Sequence, residues 1–93
     1  MLIKKGDLIE FTYGPRKGQQ AIVTTNPYTH RFMEPEDYEM VEHGMGHMAG
    51  VYGTAFNVVI PKNGDAFRIR HSKTKYKIVA RAEENNESST STR

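Results

Sequence analysis

Two groups of side chains in this sequence have the types and spacing to do chemistry. The first is cationic. Arg16 and Lys17 stand together between Gly14 and Gly18, followed by Gln19, and Lys62 precedes Asn63-Gly64. Arg68 and Arg70 alternate with Phe67 and Ile69, while Lys75, Lys77 and Arg81 share the parity opposite Tyr76, Ile78 and Ala80. An extended chain sends successive side chains to opposite faces, so these cations point outward wherever their apolar neighbours face a core. Arginine binds phosphate through two parallel hydrogen bonds and stacks on bases. Tyr13 and Tyr28 supply stacking surfaces if exposed, and barrel packing if half-buried. The second group is Glu42-His43-Gly44-Met45-Gly46-His47-Met48, with two imidazoles four residues apart. On a helix they share a face and, with Glu39 or Glu42, reach a divalent metal. Two intervening glycines argue against a regular helix. The alternative is a flexible contact loop in which methionine adapts to an irregular partner. No metal is expected.

Other chemistry has little support. With 0 Cys there is no thiolate nucleophile, thiolate metal site or disulfide. Serine occurs at 72, 88, 89 and 91, and adjacency of Ser72 to His71 makes no triad. Neither a phosphate-binding loop nor a dinucleotide fingerprint is present, and a chain of 93 residues has no volume for a deep cleft. The expectation is a non-enzymatic protein without cofactor or small-molecule substrate.

Charge alternates in blocks. Residues 1–32 carry a net +3, residues 33–50 carry −5 from Glu34, Glu36, Asp37, Glu39 and Glu42, residues 51–82 carry +6, and residues 83–93 carry −2. Basic faces concentrate anions such as nucleic acid, and salt reverses the attraction. A solvated surface of ordinary composition gives the same counts. No aliphatic run exceeds three residues, and Met1-Leu2-Ile3-Lys4-Lys5 leads into no apolar stretch, so a cytoplasmic protein without membrane association is expected.

The elements that hold these groups read mainly as strands. Residues 8–13 alternate, with Ile9, Phe11 and Tyr13 on one side, and Gly14-Pro15-Arg16-Lys17-Gly18 turns the chain. Residues 19–25 form a second strand, stopped by Asn26-Pro27. Regularity returns at Thr54 with Phe56, Val58 and Ile60. Asn63-Gly64 is a strong hairpin signal because both residues accept positive φ. Phe67, Ile69 and His71 make a fourth strand and Tyr76, Ile78 and Ala80 a fifth, joined by Ser72-Lys73-Thr74. Five short strands at hairpin spacing predict an all-β fold, a small antiparallel barrel that closes its own edges. Residues 1–82 make one domain, with an insert at 28–53 between strands two and three. Within the insert, Glu34-Pro35-Glu36-Asp37 opens a short helix that Gly44 closes, or else the segment is a mobile loop. The tail 83–93 has no apolar residue and is expected to be disordered.

Lys5-Gly6-Asp7-Leu8-Ile9, Gly14, Lys17-Gly18 and Ala21-Ile22-Val23 together resemble the KOW motif, over about 20 residues. That motif belongs to Src-homology-3-like small barrels of ribosomal proteins and transcription elongation factors. One position departs from it, Ala21 standing where the family usually has glycine. The resemblance implies a five-stranded barrel whose loop after the first strand contacts RNA, through Arg16, Lys17 and Gln19. Two functional expectations follow. One is a nucleic-acid-binding module, RNA before DNA, using Arg16, Lys17, Gln19, Lys62, Arg68, Arg70, Lys77 and Arg81. The other is a protein-interaction or assembly module, of the small phage adaptor type or a homo-oligomer, whose contact surface is the acidic insert. A third joins them: the insert lies against the basic segment and screens it.

Overall fold

The computed structural model describes residues 2–82; the polar tail at 83–93 lies outside them. Among the described residues six strands occur, β1 (Leu8–Phe11), β2 (Gln20–Val23), β3 (Tyr28–Phe32), β4 (Val51–Val59), β5 (Ala66–Arg70) and β6 (Tyr76–Ala80), with one helix, α1 (Pro35–Glu42). Single 3-10 turns follow at Gly46–Met48 and His71–Lys73. All strand pairs are antiparallel and form one sheet, in which β5 pairs with β4, β4 with β2, β2 with β1 and β1 with β6. β3 adds to the free half of β4. The sheet is open, because no backbone ladder joins β5 to β6 among the described residues.

The core follows the apolar alternation. Ile9 and Phe11 of β1, Ala21 and Val23 of β2, Phe56 and Val58 of β4, then Ile60 and Ile69, are all buried, and Phe67, Tyr76 and Ile78 pack against them. Curvature brings distant strands into contact: Phe11 stacks on Phe67 at 6.3 Å between centroids, and Phe56 meets Tyr76 edge-on at 5.6 Å. Tyr13 has left the expected face and is exposed, since the first strand ends at Phe11.

The Gly6-Asp7 pair has a structural task. Gly6 takes φ +97°, a conformation that side chains rarely adopt, and so delivers Asp7 to a fully buried position. The Asp7 carboxylate accepts N–H groups from Lys4 (2.9 Å) and Ala82 (2.6 Å) and lies 3.5 Å from the Arg81 guanidinium. One side chain thereby ties the two ends of the described chain together.

The insert differs from expectation in one respect. It contributes a strand as well as a helix: β3 pairs with an N-terminal extension of β4, from Tyr28 opposite Ala55 to Phe32 opposite Val51. The expected count of five strands becomes six, because Tyr28, His30 and Phe32 alternate as a strand requires. The helix forms where the capping residues allow. Pro35 takes the first helical position, the Asp37 carboxylate accepts the Glu34 N–H at 2.8 Å, and Gly44 ends the helix at φ +82°. Met45 N–H then reaches Met40 C=O and Gly44 N–H reaches Val41 C=O, the paired closure typical of a left-handed cap. The Asn63-Gly64 turn also differs. Only Gly64 has positive φ, and the Asn63 side chain instead accepts the Asp65 N–H at 2.9 Å. Among the described residues no helix is long and apolar enough to cross a membrane.

Candidate nucleic-acid interface

The outer face of β3, β4 and β5 gathers aromatic and cationic side chains. Directly opposed residues of antiparallel strands share a face. Tyr28 opposes Ala55, which opposes Arg70, while His30 opposes Gly53, Phe32 opposes Val51 and Asn57 opposes Arg68. Tyr28, His30, Phe32, Arg68 and Arg70 therefore share one face, away from Phe56, Val58 and Ile69. The centre of that face is small. Gly53 leaves room for the Phe32 ring, whose Cε2 lies 3.5 Å from where a Cβ would stand.

Three rings make a ladder along β3. Tyr28 and His30 are 6.4 Å apart and perpendicular, and His30 and Phe32 are 4.8 Å apart at 72°. Arg70 reaches diagonally over this surface, with its Cζ 4.6 Å from the Phe32 centroid. Its Nε is buried and meets no acceptor among the described residues. Arg68 is held differently. Its Nε donates to Tyr28 Oη at 3.0 Å, and that hydroxyl donates to Asn57 Oδ1 at 2.6 Å. Both guanidinium groups are thus positioned by aromatic rings, and neither forms an ion pair with a carboxylate among the described residues.

A second basic surface adjoins this one. Arg16 lies over the Phe67 ring, its Cζ 4.1 Å from the centroid, and donates to Gln19 Oε1 at 3.3 Å. Arg16, Arg68, Lys73 and Lys75 line an open groove of about 400 Å³ whose apolar floor includes Phe11, Phe67 and Ile69.

The other expected residues are dispersed. Lys17 is exposed on the loop after β1. Gln19 and Lys62 meet across a separate groove of about 450 Å³. Lys77 stands on β6 opposite Glu10 of β1. Arg81 contacts Asp7 and donates to Leu2 C=O at 3.0 Å, so its guanidinium is engaged in holding the chain ends. The expected single outward face of Arg68, Arg70, Lys75, Lys77 and Arg81 is therefore divided. β5 and β6 lie at opposite ends of the pairing path, so shared parity does not give a shared surface.

The histidine pair and the acidic helix are also separate from this face. His43 contacts Glu39 C=O through Nδ1 at 3.0 Å, and His47 lies in the following 3-10 turn. No cluster of three or more metal-ligating side chains occurs among the described residues. Arg31, on the opposite side of β3, donates to Ala49 C=O at 2.9 Å and to Gly46 C=O, and so fastens the turn 46–49. The Asp37 carboxyl is held below its ordinary range by the N–H of Glu34, then that of Gly50; burial opposes this, and the charge of Arg31 adds the least. Among the described residues no ion pair joins the acidic residues of the insert to Arg68, Arg70 or Lys77.

Composition by itself missed the aromatic ladder, apart from Tyr28. The signal was the alternation of Tyr28, His30 and Phe32, which sits inside a segment rich in glycine and acids. Comparison with known proteins finds no family model, no curated protein and no solved structure that matches this chain.

Proposed function

We propose that this protein is a non-catalytic module that binds single-stranded nucleic acid, RNA before DNA, on the outer face of β3, β4 and β5. The observation that carries the reading is the juxtaposition of Tyr28, His30 and Phe32 with Arg68 and Arg70. Unstacked bases have exposed π-faces that ring side chains and guanidinium planes cover, and phosphates take the remaining N–H groups. Arg16 lines the adjoining groove together with Arg68. In this reading the architecture is a small Src-homology-3-like barrel, supported by the pairing path from β5 through β4, β2 and β1 to β6 and by the curvature that stacks Phe11 on Phe67.

Fluorescence anisotropy with a labelled uridine oligomer tests the proposal. Binding is expected to weaken steeply as salt rises, because phosphate contacts release counterions. The double variant Phe32→Ala/Arg70→Ala is expected to lose about 10-fold or more, given roughly 1–3 kcal/mol for each stacked base. Equal affinity of the variant and the wild type would refute this face as the site. A protein-interaction role is the second reading, favoured by the exposure of Tyr38, Val41, Met48 and Tyr52 around the insert.

A further inference from the structure

Helix α1 is eight residues long and buries none of its side chains. Helices shorter than about 12 residues are marginal in water unless packing supports them. Its principal neighbour within the chain is the 3-10 turn at Gly46–Met48. Tyr38 and Val41, three residues apart, form an exposed apolar stripe at 59% and 47% accessibility, and Met45 continues it beyond the helix. Helical spacing places Asp37 and Glu42 on the two borders of this stripe, with Glu39 a step further round.

The groove beside β5 has the converse pattern. Its apolar base is the Phe67 ring, partly covered by the Arg16 guanidinium, with buried Phe11 and Ile69 beneath, and Lys73 and Lys75 stand at its rim. We infer that the groove of one copy takes helix α1 of a second copy. Tyr38 and Val41 pack on the Phe67 ring and the Arg16 side chain over it, while Glu39 and Glu42 meet the cations. Contact between two copies of α1 would oppose like charges, whereas contact between α1 and the groove pairs opposite ones. One α1 is about 12 Å long, short for the roughly 800 Å² per partner that a standard interface buries. Reciprocal exchange, each copy giving a helix and receiving one, doubles the contact and closes the pair by twofold symmetry. Arg68 lines both this groove and the aromatic face, so a docked helix and a bound nucleic acid compete for one cation. The inference does not depend on nucleic-acid binding.

A charge-exchange experiment tests it by sedimentation equilibrium on the full chain. All four substituted residues are exposed, and circular dichroism monitors folding. At about 50 mM salt, where screening is weak, the wild type is expected to approach twice the 10.6 kDa chain mass. Lys73→Glu/Lys75→Glu alone, and Glu39→Lys/Glu42→Lys alone, are expected to be monomers. An equimolar mixture is expected to regain the dimer, because each variant then offers the charge that the other lacks. A monomeric wild type at about 100 μM, dimers of either variant alone, or no recovery in the mixture would each overturn the proposal.

Discussion

Asp7 illustrates how one residue fixes the ends of a small domain. Its buried carboxylate satisfies two backbone N–H groups and faces Arg81. Asp7→Ala is expected to cost about 2–4 kcal/mol, because both N–H groups lose their acceptor. Arg81→Ala costs less, since the two N–H groups remain and the guanidinium is partly solvated. Urea unfolding of the two variants checks the order, and equal losses would contradict it. Tyr76 gives a pH prediction at the same scale. Burial first, and the Asp7 charge second, raise its hydroxyl above 10.0. The unfolded chain then releases this proton before the folded one, so stability falls as pH rises past the unfolded value of about 10. Tyr76→Phe should flatten the decline in urea midpoint between about pH 9 and 11, and an unchanged decline would exclude this cause. The residue scale was partly legible beforehand. Gly6-Asp7 read as a turn, but its role as a clamp required Arg81 and Ala82, the latter 75 residues away along the chain.

At the scale of elements, the strands followed from alternation. Ile9 and Phe11, Ala21 and Val23, and Phe56 and Val58 all face the core as their spacing requires. The insert was less legible because its residues have no core to face. β3 is stabilised instead by pairing with β4 and by its ladder of rings, neither of which depends on hydrophobic burial. The junction of α1 and β4 yields its own prediction. A Cβ at Gly50 would meet Arg31 Cγ, Met33 Sδ and Phe32 C=O, each at 3.0 Å, on a backbone at φ +82°. Gly50→Ala is expected to loosen the insert by about 1–3 kcal/mol, seen as faster amide exchange at Arg31 and Tyr52 while Ile9 and Phe56 keep their protection. Equal protection throughout would contradict this local effect. Acid acts at the same junction. Stability supplied by the ionised Asp37 is present above the ordinary carboxyl value of 3.8 and is lost as pH falls through its lower folded value. Protection of the Glu34 and Gly50 amides relative to their intrinsic exchange rates is therefore expected to fall at low pH, and pH-independent protection there would refute the assignment.

At the scale of the molecule, the acidic block 33–50 and the basic block 51–82 find distinct positions. The acidic block forms α1 and its flanks, and the basic block divides between β5 and β6. Parity along the chain identified the outward cations of each strand, but only the pairing order decides which strands share a surface. Arg68 and Arg70 thus join Tyr28 and Phe32 from the insert, while Lys77 faces Glu10. The account rests on the claim that this aromatic and cationic face is where nucleic acid lies. Amide chemical-shift mapping with a short uridine oligomer at low salt tests it most directly. The account predicts that perturbations concentrate at Tyr28–Phe32, the facing residues of β4 and Ala66–Arg70. Perturbations confined to α1, or none at saturating oligomer, would contradict it.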